Sequence, residues 1–167
     1  MGGSETMFGV NFVDGRIKGY PTSKDFELKM VRGKSTYGIN DFENNKDLVL
    51  RYYSKAIKLN ADIVVYPELT LTGYPPQDLL LENGFVDDNL NALEEIAKQT
   101  TIPLIIGFVR KEDGKLYNSA ALCQNGKVIN KYDKILLPTY DVFDEERYCE
   151  NGKEPGIWKI NINGNDK

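Results

Sequence analysis

Histidine is absent from the 167 residues, and this excludes more chemistry than any other feature of the composition. Ser-His-Asp and Cys-His machinery needs an imidazole as base, so neither can operate from within this stretch. Histidine metal sites are excluded for the same reason. The only two cysteines, Cys123 and Cys149, stand too far apart to suggest a zinc site. They also make no disulfide framework, which sets a reducing cytoplasm as the expected location. No apolar run is long enough to cross a bilayer, and the amino end has no signal-peptide pattern. Long basic runs are missing as well. With a net charge of -4, neither nucleic acid nor an anionic membrane surface is an expected partner.

What is present suits one globular domain: 41% hydrophobic and 28% charged residues in a chain long enough to bury a core. Acid–base chemistry in such a chain falls to carboxylates, lysines, tyrosines or cysteines.

Residues 1–25 read as a leader or a divergent extension, with Phe8, Val10, Phe12 and Val13 as a possible short strand. The domain is expected to occupy residues 26–167. Phe26, Leu28 and Met30 alternate with Glu27 and Lys29, the period of a half-buried strand. A helix is predicted from about Asn44 to Leu59, its apolar stripe formed by Leu48, Tyr52, Ala56 and Leu59 with Val49, Tyr53 and Ile57 beside it. Asn60 is a natural left-handed stop. The continuous apolar run Ile63–Tyr66 predicts a strand covered on both faces, ended by Pro67. A second helix is predicted from Phe85 to Lys98, with Val86, Leu90, Leu93 and Ala97 inward. Leu104–Val109 reads as a third buried strand. Asp113-Gly114 and Asn125-Gly126 then signal two hairpins joining strands near Leu116–Cys123 and Lys127–Tyr132. Strands alternating with helices and then a meander predict an α/β layered domain with a mixed sheet.

Two segments carry candidate chemistry. In Tyr66-Pro67-Glu68-Leu69-Thr70-Leu71-Thr72-Gly73-Tyr74-Pro75-Pro76 a carboxylate, Glu68, falls just past the carboxyl end of a buried strand. Ligands bind at such strand ends in open α/β sheets. Leu69 and Leu71 flank Glu68, an arrangement expected to desolvate it. The stiff Gly-Tyr-Pro-Pro turn that follows holds an aromatic in one place. The second segment runs from Lys131 to Tyr148. There Lys134 sits where the last meander strand gives way to a loop rich in aromatics and carboxylates, and loops of that kind line sites more often than they merely connect elements. Alone, each residue would read as a solvated surface charge.

Together, the stretches Pro67–Leu81 and Lys131–Arg147 resemble the glutamate and lysine motifs of the nitrilase superfamily. Their longer forms, PELTLTGYPPQDLL and LPTYDVFDEERY, resemble the glutaminase branch found in glutamine-dependent NAD synthetases, and the likeness runs from about Tyr37 to Ile160. It implies a four-layer α-β-β-α sandwich, of which this stretch would supply the N-terminal portion. It also implies a Cys-Glu-Lys triad acting on glutamine: Glu68 as base, Lys134 stabilising an oxyanion, and Glu145 as a positioning carboxylate. Tyr74, Tyr140 and Phe143 would shape the glutamine pocket. The implied partner is a synthetase domain, which would bring ATP and Mg. No cofactor is expected in this stretch.

The resemblance also implies a nucleophilic cysteine on a core strand that Gly156–Ile162 would begin, at a position beyond Lys167. Neither Cys123 nor Cys149 occupies it, so the stretch alone is expected to be inactive. Half of a sandwich should expose a sheet edge and an apolar face, which sets homo-oligomerisation as an expectation. Two other readings stay open at this point: another carbon–nitrogen hydrolase branch, and a catalytically dead assembly or regulatory fragment.

Overall fold

The computed structural model describes residues 30–32, 37–139, 144–162 and 165–166. The expectations for residues 1–25 and 26–29, and for Tyr140 and Phe143, fall outside the described residues.

The chain runs β1 (Met30–Arg32), α1 (Phe42–Lys58), β2 (Ile63–Val65), α2 (Phe85–Ala97), β3 (Leu104–Glu112), β4 (Lys115–Gln124), β5 (Lys127–Asp133), β6 (Asn161–Ile162) and β7 (Asn165–Asp166), with 3₁₀ turns at Gln77–Leu81 and Glu145–Arg147. The first five strands form one sheet in sequence order. β1, β2 and β3 are parallel, and β3, β4 and β5 antiparallel. The sheet is therefore mixed, as the order of patterns predicts. Both hairpin turns have left-handed backbone at both central residues, Asp113 and Gly114, then Asn125 and Gly126. That conformation selects Asx-Gly pairs and matches the twist of the flanking strands.

Strand alternation sends Val64, Tyr66, Leu104, Ile106, Phe108, Ala121 and Cys123 to one face. There they share a buried cluster with Val49, Tyr53 and Ala56 of α1 and Ala92, Leu93, Ile96 and Ala97 of α2. The helices thus form one layer over one face of the sheet. The opposite face keeps Val65, Ile105 and Ala120 half-buried, while Ile63, Val109 and Leu122 on it are buried. This helix-on-sheet arrangement is the outer α and inner β layer of the sandwich that the resemblance implies.

Two expectations are corrected. The inward stripe of α1 is Asn45, Val49, Tyr53 and Ala56, whereas Ile57 and Leu59 are exposed. Asn45 belongs inside because its side chain satisfies backbone groups of a neighbouring loop, and that shifts the buried face. The stretch Gly156–Ile162 is not a core strand: only Asn161–Ile162 is extended, and it pairs with β7 in a separate two-stranded hairpin. Gln124 Nε2 donates to the Asn161 carbonyl at 2.6 Å and ties that hairpin to the end of β4.

Candidate active site

β4 reverses the chain after β3, and β5 reverses it again, so β2 and β5 point the same way. The residues just past their carboxyl ends therefore emerge at the same end of the sheet. Glu68 follows β2 and Lys134 follows β5.

Glu68 sits on a tightly held loop. Gly107 N–H donates to the Pro67 carbonyl at 3.2 Å, and Leu71 N–H to the Gly107 carbonyl at 3.4 Å, so the loop lies directly on β3. A Cβ at Gly107 would collide with Leu69 N, Pro67 O and the Glu68 carbonyl carbon. Leu69 has φ of 50°, a conformation that costs a branched side chain roughly 1 kcal/mol. This twist buries Leu69 in a second apolar cluster with Leu80, Phe85, Val86, Val109 and Leu137, while Glu68 turns out to the cleft. Thr70 Oγ1 bonds the Pro67 carbonyl at 2.6 Å. From α1, Asn45 Nδ2 bonds the carbonyls of Gly38 at 2.7 Å and Leu71 at 3.0 Å. The flanking leucines do not enclose Glu68, contrary to expectation: each fills an apolar cluster, and the Glu68 side chain is 44% exposed.

Lys134 is positioned from behind. Arg110 grips Asp133 with two hydrogen bonds, Nε to Oδ1 at 2.8 Å and Nη2 to Oδ2 at 2.6 Å. Ser119 Oγ donates to the same Oδ1 at 2.6 Å. The Arg110 guanidinium lies 4.3 Å from the Tyr117 ring centroid. Gly152 packs against the Asp133 carbonyl so closely that a Cβ there would clash with it, and its N–H donates to the Lys134 carbonyl at 2.8 Å.

Burial alone would raise the Asp133 carboxyl, but the Arg110 and Ser119 hydrogen bonds overcome it and hold the group below the usual carboxylate range. A depressed folded value stabilises the fold above the unfolded value of about 3.9 and loses that contribution as pH falls through the folded value. Asp133→Asn is therefore expected to cost about 1–2 kcal/mol at pH 7. In urea unfolding the gap to the unsubstituted chain should close in acid. A gap of the same size at both ends of the range would contradict the ion-pair account.

The two charges meet. Lys134 Nζ donates to Glu68 Oε1 at 2.7 Å and to both Glu145 oxygens at 3.0 Å. Glu145 reaches the cluster from its 3₁₀ turn, where its N–H bonds the Pro138 carbonyl at 3.3 Å, and its side chain is only 13% exposed. Desolvation pulls the Lys134 ammonium down, but the hydrogen bonds it donates to Glu68 and Glu145 outweigh it, and Lys134 stays above its ordinary value. Asn118 of β4, buried at 4% exposure, donates from Nδ2 to Glu68 Oε1 at 2.5 Å and Glu145 Oε2 at 3.3 Å. Sequence reasoning passed over Asn118. Its one signal is a polar residue at an inward position between Leu116 and Cys123.

Beside the cluster is a cavity of about 220 Å³, lined by Leu69, Tyr74, Asn118, Glu145, Arg147 and Cys149 among others. It is smaller than the roughly 300–1,000 Å³ typical of drug-sized sites. Tyr74 stands on the wall of this cavity. Cys149 also lines it, but burial and then the charge of Glu145 push its thiol up to about 11, leaving almost none as thiolate at neutral pH. Cys123 is fully buried in the helix–sheet core, its thiol pushed up to about 12 by burial and then Glu94. Among the described residues no group of three or more His, Cys, Asp or Glu could hold a metal ion, and no helix is long and apolar enough to cross a membrane.

The fold and site define an α/β protein with a mixed sheet, helices on one face, and a carboxylate–ammonium–carboxylate cluster at its strand ends. The carbon–nitrogen hydrolase family profile matches residues 31–163. This chain belongs to the carbon–nitrogen hydrolase family.

The glutamine-dependent NAD+ synthetase of Thermotoga maritima is 38% identical over 136 residues, covering 80% of this chain and 23% of that protein. Among solved structures, the glutamine-dependent NAD+ synthetase of Acinetobacter baumannii, in complex with ADP, superposes with a TM-score of 0.71 at 32% identity, over 78% of this chain and 25% of that one. An amidase from Nesterenkonia sp. superposes with a TM-score of 0.68 at 22% identity, over 82% of this chain and 52% of that one, and shares the fold. The chain spans about a quarter of the length of the curated relatives it matches.

Proposed function

We propose that this chain contributes the base, the cation and the positioning carboxylate of a glutamine amidase site, with the nucleophilic thiol supplied from outside these 167 residues. One observation carries the proposal: a single ammonium, Lys134 Nζ, is bonded to Glu68 and Glu145 together, at the edge of a cavity that suits an amino-acid side chain.

Glu68 accepts the thiol proton as the thiolate attacks the side-chain amide carbon of glutamine. The carbonyl oxygen becomes an oxyanion, and the Lys134 ammonium beside it stabilises that charge. Collapse of the tetrahedral intermediate breaks the carbon–nitrogen bond. The proton held by Glu68 passes to the nitrogen, which departs as ammonia and leaves a thioester. Water then attacks the thioester with Glu68 again as base, releasing glutamate and the thiol. Glu145 keeps Lys134 charged and in place throughout. In this reading the ammonia serves a synthetase domain that makes NAD from deamido-NAD, and the ATP and magnesium chemistry is assigned to that domain.

Neither thiol present is primed for attack, so the chain alone is expected to release no ammonia from glutamine above the uncatalysed background. A coupled ammonia assay tests this, and turnover abolished by Cys149→Ala would overturn the assignment of the thiol. The substrate reading is tested separately by NMR titration. Glutamine is expected to shift the signals of Asn118, Glu145 and Tyr74, while acetamide and asparagine leave them unmoved. The reverse pattern would favour a different amide substrate within the family.

A further inference from the structure

We propose that Asn118 is a positioning residue that holds Glu68 by one carboxylate oxygen, Oε1, and so assigns the proton transfers to the other, Oε2. This rests on the reading of Glu68 as the base.

Glu68 stands on a loop and Glu145 on a short 3₁₀ turn, and Lys134 begins a loop. Asn118 instead lies inside β4, paired with Val109 of β3 across the ladder, so the sheet itself fixes it. From there it touches all three charged residues. The two hydrogens of its side-chain amide serve Glu68 Oε1 and Glu145 Oε2, and its backbone carbonyl accepts the Lys134 N–H at 2.8 Å. A primary amide has two such donors, and here each carboxylate takes one.

The hydrogen bonds to Glu68 all fall on one oxygen. Among the described residues Oε1 accepts from both Lys134 Nζ and Asn118 Nδ2, and Oε2 accepts from none. A carboxylate held this way presents a free oxygen in a set direction, which a proton acceptor requires. The second donor matters because Lys134 has two tasks. When it turns part of its hydrogen-bonding capacity to the oxyanion, a base gripped by Lys134 alone would come loose. Asn118 keeps hold of Glu68 through that exchange. Packing gives no reason for an amide here, since a central strand favours β-branched or aromatic residues and an unpaired buried amide is costly.

The test uses the 167-residue chain and follows the Lys134 ammonium by NMR through an alkaline titration. In the unmodified chain its midpoint should lie above that of free lysine. In Asn118→Leu, which is nearly isosteric, and in Asn118→Ala, the midpoint should move down toward the free value, because Glu68 is no longer held against the ammonium. A purely structural role would lower the thermal midpoint and leave the titration where it was. A second measurement keeps Asn118 intact: Glu68→Gln should move the side-chain amide protons of Asn118. The proposal is overturned if a folded Asn118 variant leaves the Lys134 titration unchanged, or if those amide protons ignore Glu68→Gln. A normal Lys134 midpoint in the unmodified chain would instead remove the cluster reading itself, so the two failures are distinguishable.

Discussion

Gly107→Ala is expected to destabilise the protein by about 3 kcal/mol, lowering the thermal midpoint by on the order of 6–12 °C. The usual effect has the opposite sign. Replacing glycine by alanine within a strand normally stabilises by about 0.4–1 kcal/mol, because the unfolded chain loses freedom. At this position the added carbon meets backbone atoms of Pro67, Glu68 and Leu69, and backbone cannot rotate aside as a flexible side chain could. The loop must lift off β3, taking Glu68 with it. The same variant should therefore also pull the Lys134 titration down toward the ordinary lysine value. Unchanged or increased stability, measured by calorimetry, would show that the loop does not rest on β3 as described.

Lys134→Met has the second large effect. It removes the cation that lies between Glu68 and Glu145 and leaves two carboxylates facing one gap. Lys134 is 29% exposed, so solvent screens part of the cost. A loss of about 1–3 kcal/mol at pH 7 is expected. Most of it should return in the double variant Lys134→Met, Glu145→Gln, since removing one charge of the unbalanced pair relieves the repulsion. Additive losses in that cycle would mean the two side chains do not interact. In a protein where these residues are completed by the nucleophilic cysteine, the same substitution should lower kcat by about 10²–10³-fold through loss of oxyanion stabilisation. The pH dependence has a definite sign. The folded-state value of Lys134 is raised, so its contribution to stability is complete below the unfolded value of about 10.4 and is lost as pH climbs through the folded value.

Local chemistry was legible in the residues. Both helices, the buried runs at Ile63 and Leu104, and both Asx-Gly hairpins follow from periodicity and turn preference, which act over a few neighbouring residues. The α1 stripe misled for a local reason: Leu59 and Ile57 fit an apolar period, but the buried face is set by Asn45, whose partners at Gly38 and Leu71 are not on that helix. The core strand at Gly156–Ile162 was implied by the resemblance alone, and here only Asn161–Ile162 is extended, paired with β7. Glu68 and Lys134 each read singly as surface charges, and only the resemblance of their surrounding motifs joined them.

The sequence by itself determined which segments become helix or strand, and that acid–base work by these 167 residues is done without histidine. Only the tertiary structure decided which side chains meet. Lys134 and Glu68 are 66 residues apart, and Asn118 and Glu68 are 50 apart, so their contact depends on strand direction and register accumulated across the whole sheet. The same holds for the Arg110 grip on Asp133 and for the left-handed turn at Leu69. Each is the outcome of packing one finished element on another, and no local pattern of residues encodes that.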